Sequence, residues 1–484
     1  MILSKLQQAA ELFKMNDLVQ AERLYKEMII SQPENGLAYL GMGVIALKVQ
    51  QFDKAVSFLT KSCELLPNEA QPLIKLSEAF NGVNSEIDGL TALEYAANHL
   101  PNSAVVHYHL GLQYIMLGDL DKGEQSFISV IQLTQDPITS FALFELTRLD
   151  RHSEQYLPII ETRLKQTQMS SQETTVLHYA LGNVLHGMQN YQQAWHHFDS
   201  ANLLQAQLCS FKTIELEDFF QEIKLNATKQ VLSKRRAVAK STKEIIPIFI
   251  LGLPRTGSTL LEQLLTEHQD ISSAGEAPYL SGEVAGFLFS QSKLHYPYSM
   301  ADITDTQLNT AAQIYLDKMS LHASNEGYVI DKLPANFQSI GLIYKLFPKA
   351  KVLHIKRNLA DVALSIYRNY FAQNEPYFCS LREFKQYHTL YTDLMAYWNM
   401  QLPGFIHEVS YEQLVENKTD TIKSILDFCD LSLPKYTASG RKINKVVKTL
   451  SNIQVRGAIS TEAIENWHNY AEHLALFTES EHAE

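Results

Sequence analysis

PIFILGLPRTGSTLLEQLL, residues 247–265, runs from an apolar segment through a glycine-bounded turn into a helical pattern. A buried strand, a tight turn and a helix in that order make an anion cradle, because the first N–H groups of a helix lack intrahelical partners and point at whatever sits on its axis. Gly252 and Gly257 stand five apart, with Ser258 and Thr259 following. A nucleotide-triphosphatase loop would place lysine directly after the second glycine. Here Ser258 fills that slot and the cation comes earlier, as Arg255. A guanidinium still grips a phosphate or sulfate through two parallel N–H groups. The missing lysine argues against ATP or GTP hydrolysis. The pattern read alone also fits a glycine turn between a core strand and a core helix.

Two more segments share the strand-then-cation plan. KVLHIKRNLADVALSIYRNYF, residues 351–371, opens as a short apolar strand, passes Arg357 and continues as a helix carrying Ser365. VIDKLPANF, residues 329–337, ends an apolar strand on Asp331 and Lys332 before a proline turn with Asn336. A lone lysine is ordinarily a solvated charge, but this one is lodged between a core strand and a turn. DISSAGEAPY, residues 270–279, holds Glu276 just beyond the first helix. VSYEQL, residues 409–414, presents Tyr411 and Glu412 at a strand-to-helix junction, and TLSNIQVR, residues 449–456, lies near the C-terminus.

Together these motifs resemble those of the sulfotransferase family. The resemblance covers residues 245–475 and implies an α/β, P-loop-like domain with a central parallel sheet and the ligand at the carboxyl ends of the strands. It implies 3′-phosphoadenosine-5′-phosphosulfate as donor, its desulfated 3′,5′-bisphosphate as product, and no metal. Arg255, Thr256, Gly257, Ser258 and Thr259 match the loop that holds the 5′ end. Arg357 and Ser365 match the 3′-phosphate pair. Tyr411, Ser451, Gln454, Val455 and Arg456 match donor contacts, the last four in a loop that closes over the nucleotide. The R-K-G-x-x-G loop of small-molecule enzymes is absent, which places the chain nearer the protein-tyrosine and carbohydrate branches.

The same resemblance assigns Glu276 as the base and Lys332 as stabiliser of the departing phosphate, with Arg255 also in the catalytic set. A free carboxylate titrates near ~4.3 and is a weak base unless its surroundings tune it. Protein-tyrosine relatives carry a second acidic residue after the glutamate; here it is Ala277, which leaves the acceptor open. Histidine is the rival base. His268 reads as a cap at the end of the first helix and His354 as a core residue of the second strand. Asp331 and Glu412 read as architectural, Asn336 as holding the loop or an acceptor group, and Trp398 as core or site wall. Tyr296, Tyr298, Phe287 and Phe289 form an aromatic acceptor wall or simply pack.

The first two hundred residues repeat. Pro33, Pro67 and Pro101 are 34 apart, and Gly43 and Gly111 are 68 apart, as are Tyr39 and His107, and Ala55 and Gly123. That period and small-residue pattern belongs to tetratricopeptide repeats, in which helix pairs stack into a solenoid. A further copy runs over 174–201, with a degenerate one over 137–172, giving about five or six repeats. We therefore expect an all-α solenoid over 1–205, a charged helical cap and linker over 206–244, the catalytic domain over 245–475 and a polar tail over 476–484. The solenoid is expected to select an acceptor protein, peptide or glycan, or to serve a protein partner or self-association.

The chain of 484 residues has a formal net charge of −12, which disfavours nucleic acid as a partner. Its four cysteines, Cys63, Cys209, Cys379 and Cys429, form no disulfide framework or paired metal motif. No apolar run of membrane-spanning length and no signal segment is seen. The expectation is a cytoplasmic, bacterial sulfotransferase acting on an acceptor hydroxyl, with protein tyrosine as one candidate. The alternatives are a glycan, lipid or small-metabolite acceptor with the repeats used for assembly, and a non-catalytic scaffold with a relic nucleotide site.

Overall fold

A computed structural model describes residues 2–149, 151–234, 245–323, 327–371, 375–432 and 464–478. The helices are α1 (Ile2–Lys14), α2 (Leu18–Ser31), α3 (Gly36–Lys48), α4 (Phe52–Leu65), α5 (Ala70–Gly82), α6 (Glu86–His99), α7 (Ala104–Leu117), α8 (Leu120–Leu133), α9 (Ile138–Arg148), α10 (Leu157–Leu164), α11 (Ser171–Gly187) and α12 (Tyr191–Ala206). They continue with α13 (Glu215–Asn226), α14 (Lys229–Ser233), α15 (Ser258–Leu265), α16 (Ala285–Ser292), α17 (Asp305–Ser320), α18 (Ile340–Leu346), α19 (Leu359–Tyr367), α20 (Pro376–Cys379), α21 (Leu381–Gln401), α22 (Tyr411–Glu416), α23 (Lys418–Phe428) and α24 (Ala471–Thr478). The strands are β1 (Ile245–Gly252), β2 (Ile271–Ser273), β3 (Gly327–Asp331), β4 (Lys351–Lys356) and β5 (Ile406–Ser410). The described residues fall into two compact units, one within residues 1–180 and one from Leu181 onward. The division lies inside α11.

In the first unit each helix from α1 to α9 packs on its neighbours along the chain. The repeated prolines sit in the turns that follow α2, α4 and α6, where a missing N–H removes nothing from a helix. The repeated glycines mark close helix approach. A Cβ on Gly43 would lie 2.4 Å from Leu59, and one on Gly111 would lie 2.6 Å from Phe127. Both partners are sixteen residues downstream on the second helix of the pair and are fully buried. The degenerate stretch forms the shorter α9 and α10 with a 3-10 turn at Ser153–Tyr156 between them.

The second unit is built on a five-stranded sheet in the order β2-β3-β1-β4-β5, with all four pairings parallel. β1 is apolar on both faces because helices cover both. Ile248 and Ile250 pack with Leu261, Leu264 and Leu265 of α15 and with Ile425 and Leu426 of α23. Phe249 faces the other side, its ring 5.8 Å from Tyr315 of α17 and 6.0 Å from Phe347.

The helices before the sheet belong to this unit as well. The Tyr397 hydroxyl donates to the Lys224 and Ala227 carbonyls at 2.8 and 3.0 Å, and Lys345 donates to the carbonyls of Val231 and Lys234 at 3.0 Å each. On α12, Asn202 donates to the Tyr367 carbonyl at 2.8 Å, Gln205 donates to the Phe371 carbonyl, and Asp199 accepts from the Tyr367 hydroxyl at 2.6 Å. The end of α19 is thereby held by a helix that the repeat period counts as the second of a pair. That pair keeps the repeat geometry: a Cβ on Gly182 would lie 2.4 Å from Phe198, again sixteen residues on.

Candidate active site

The sheet delivers five residues to its carboxyl edge. Arg255 follows β1, Glu276 follows β2, Lys332 follows β3, Arg357 follows β4 and Tyr411 follows β5. Strand order reverses beside β1, and the crevice outside the strand ends at such a point is where α/β sheets bind ligands.

The cradle is shaped by its backbone. Gly257, the residue before α15, has φ +95°, and a Cβ there would meet the Tyr411 ring at 2.3 Å. Arg255 itself takes φ +69°, a conformation unusual for a residue with a side chain. Thr256 closes the loop by donating its hydroxyl to the Leu253 carbonyl at 2.8 Å. Thr256, Ser258 and Thr259 are all buried.

The cations interlock. Arg255 Nε donates to Ser365 Oγ at 3.0 Å, which joins the glycine loop to α19. Arg357 donates from Nη1 to the Arg255 carbonyl at 3.3 Å, and its guanidinium lies 4.5 Å from the centre of the Tyr411 ring. The loop before α19 is tied to β5, since Glu412 accepts from the Asn358 N–H and from the Ser410 hydroxyl at 2.8 Å each. Glu412 is thus a brace, as read from the sequence.

Lys332 is buried and donates to Glu276 Oε1 at 2.8 Å. Glu262 of α15 places Oε2 at 3.9 Å from the same ammonium. The Glu276 side chain is 42% exposed against 15% for Glu262, so only the former is open to a partner from outside. Glu262 also accepts the Ser273 hydroxyl, whose oxygen in turn accepts the Gly275 N–H at 3.0 Å. Asp331, fully buried, accepts from the Tyr315 hydroxyl at 2.6 Å and from Asn336 at 3.0 Å. Burial pushes its carboxyl up to about 7, against the pull of those two hydrogen bonds and of Lys332. Asn336 therefore holds the loop behind Lys332.

Other readings resolve in the structure. His268 is buried, with Nε2 against the Ser432 carbonyl at 3.1 Å and Nδ1 accepting the Asp270 N–H at 3.2 Å, a structural cap. His354 is buried in β4 against the Tyr391 hydroxyl. Trp398 is fully buried and donates to the Phe337 carbonyl at 2.9 Å, which makes it core. The Tyr296 hydroxyl is taken by the Gln338 carbonyl at 2.6 Å, whereas Phe289 stacks on His295 and is exposed, as is Tyr298. Ser451, Gln454, Val455 and Arg456 lie outside the described residues. Downstream of them, the buried Asp361 of α19 accepts the N–H groups of Glu465 at 2.8 Å and Trp467 at 3.0 Å. Burial raises its carboxyl and the nearby Arg357 opposes the rise.

Sequence reasoning passed over Glu262, Ser273 and Asp361. A glutamate inside an amphipathic helix and an aspartate in the first turn of another look like surface or capping residues. The available signal was that Glu262 and Asp361 follow Arg255 and Arg357 by seven and four residues.

Residues 247–435 match the model of the sulfotransferase family. An uncharacterized protein of Aquifex aeolicus is 28% identical over 400 residues, 81% of this chain and 52% of that one. Protein-tyrosine sulfotransferase 1 of Danio rerio is 26% identical over 242 residues, 46% of this chain and 66% of that one. The chain thus spans between half and two thirds of the length of these relatives. A solved thermophilic TPR protein of Thermus thermophilus aligns at 22% identity and TM-score 0.32, over 37% of this chain and 99% of that one. The matched stretch, residues 247–435, lies within the unit that begins at Leu181.

Proposed function

We propose that the chain moves the sulfuryl group of 3′-phosphoadenosine-5′-phosphosulfate to an acceptor hydroxyl. The observation that carries this reading is the convergence of Arg255, Glu276, Lys332 and Arg357 at the carboxyl ends of four parallel strands. The donor supplies an activated sulfuryl group and leaves as a nucleotide with phosphates at both ends of its ribose. The residues present suit it. The helix start at Ser258 and Arg255 take the 5′ end, with Thr256 and Thr259 beside them, and Arg357 and Ser365 take the 3′ phosphate. Ser451, Gln454, Val455, Arg456 and Tyr411 complete the proposed donor contacts.

Sulfuryl transfer, like phosphoryl transfer, is governed by positioning and by charge at the atoms where charge grows. Glu276 takes the acceptor proton from the open side of the crevice. Lys332 meets the bridging oxygen as the nucleotide departs. Their 2.8 Å ion pair keeps base and stabiliser next to one another at rest. No metal is invoked, since arginine and lysine neutralise the leaving phosphate.

A protein tyrosine is the proposed acceptor, supported by the name of the zebrafish relative. The exposed Phe289 and Tyr298 offer an aromatic surface, and the helix pairs of residues 1–180 serve as the proposed surface for the acceptor protein. Among the described residues no helix is long and apolar enough to cross a membrane. We propose a cytoplasmic location.

Calorimetric titration with 3′-phosphoadenosine-5′-phosphate, against ATP and ADP, tests the reading. Selective binding of the bisphosphate, lost in Arg357→Ala, is expected, followed by transfer of labelled sulfate to tyrosine peptides. A preference for ATP would overturn it.

A further inference from the structure

The Lys332 ammonium sits between two carboxylates that differ in every respect that matters to a reaction. Glu276 is hydrogen-bonded to it at 2.8 Å, lies on a loop and is 42% exposed. Glu262 stands 3.9 Å away on α15, is 15% exposed, and is fixed by the Ser273 hydroxyl. Ser273 is itself fixed by the Gly275 N–H, and the Gly275 carbonyl accepts the Lys332 N–H at 2.8 Å. The anchored carboxylate and the backbone of the lysine are therefore joined by one short chain of hydrogen bonds.

A buried ammonium needs a counter-charge, and removing its only partner is strongly unfavourable. Glu276 cannot fill that need throughout a reaction cycle. Its second oxygen can take the acceptor proton while Oε1 still faces Lys332, but once protonated Glu276 no longer carries charge. Glu262 can, because its helix and Ser273 hold it in place. At 3.9 Å it attracts the ammonium without taking a hydrogen bond, since that separation is beyond hydrogen-bonding reach. The N–H groups of Lys332 stay available for the departing oxygen.

We propose that Glu262 is the positioning residue for Lys332, holding the ammonium in place while Glu276 engages the acceptor. This rests on the sulfotransfer reading above. The test uses the full chain with three variants, Glu262→Gln, Glu262→Asp and Ser273→Ala. In Glu262→Gln, kcat is expected to fall about ten- to a hundredfold, with the donor KM within about threefold of wild type, because the interaction acts on the leaving group. Glu262→Asp should recover most of the rate, since it keeps the charge. Ser273→Ala should lower kcat less than Glu262→Gln. Wild-type kcat in a folded Glu262→Gln variant overturns the proposal. So does a fall in kcat matched by an equal change in donor KM and not rescued by aspartate, which is the behaviour of a merely structural residue.

A wild-type chain that transfers no sulfuryl group is a separate failure, seen before any variant is made, and it overturns the functional reading. The ion pair is then judged without turnover, by a double-mutant cycle of Glu262→Gln and Lys332→Met on thermal unfolding. Non-additive shifts support the Glu262–Lys332 pairing, and additive shifts overturn it.

Discussion

Gly257→Ala is the smallest change that tests the cradle and the second anion site together. At φ +95° a side chain is strained, by about 1–2 kcal/mol for a non-glycine residue in a left-handed conformation. The added methyl would also stand 2.3 Å from the Tyr411 ring, far inside the roughly 3.5–4 Å at which carbon atoms pack. The ring is buried and must retreat by more than an ångström. Arg357 rides on that ring at 4.5 Å and would lose its seat. A charge-assisted hydrogen bond contributes about 1.5–3 kcal/mol, so the Kd for 3′-phosphoadenosine-5′-phosphate should rise about ten- to a hundredfold. Calorimetry measures the Kd, and thermal unfolding separates the backbone strain from the loss of binding. Truncating the obstacle gives the control. Adding Gly257→Ala to Tyr411→Ala should weaken binding much less than adding it to wild type. A Gly257→Ala chain that binds within about threefold of wild type would refute the packing of Tyr411 between the glycine and Arg357.

The remaining expectations concern the chemistry and the pH response. Glu276→Gln should leave nucleotide affinity near wild type and lower kcat by about 10²–10⁴, the usual contribution of a positioned base; steady-state kinetics with a fixed acceptor checks this, and unchanged turnover would remove Glu276 from that role. Asp331 holds a proton up to about pH 7 in the folded chain, whereas an unfolded aspartate releases it near ~3.9. Its contribution to stability is therefore complete at low pH and declines as pH rises through that window, and between pH 5 and 8 the wild type should lose about 2 kcal/mol more than Asp331→Asn. Urea unfolding at the two pH values measures the difference, and equal losses would refute it. His186 runs the opposite way: burial, with the Arg368 charge second, depresses its pKa to about 3. Below pH ~6.5 the unfolded chain binds a proton that the folded chain refuses, so by pH 5 stability should drop by about 2 kcal/mol relative to His186→Gln. Thermal melts at pH 7 and pH 5 read this directly.

Where most of the candidate site lies in the fold was legible because each motif cation comes shortly after an apolar run. Such runs are the one strand signal that survives when both faces of a sheet are covered. Arg255, Lys332, Arg357 and Tyr411 could be placed at strand ends without knowing the order of the strands. What could not be read was who stands behind them. Glu262 and Asp361 are polar residues on amphipathic helices, where periodicity predicts only which face is buried. Their partners, Lys332 and the backbone of 465–467, come from distant parts of the chain. The 34-residue period likewise reports local helix pairing faithfully, as the Gly43–Leu59 and Gly182–Phe198 contacts show. It is silent on what the outer surface of the last helix touches. Asp199, Asn202 and Gln205 look like the polar side of a repeat and instead grip Tyr367 and Phe371.

That grip sets where the protein can be cut or spliced. A shortened chain starting at Ile245 would contain every motif quoted above for the resemblance to sulfotransferases, yet it would lack the carboxamides that hold the carbonyls of Tyr367 and Phe371. It would also lack Trp195, whose ring stacks 4.9 Å from Tyr367 and 4.4 Å from His473. The helix carrying Ser365 would be left without its brace on one side, and α24 would lose the stacking partner of His473. Exchange of helical arrays between related chains is therefore workable only upstream of α11, before residue 171. The last helix pair has to travel with the sheet unit it braces, whatever precedes it.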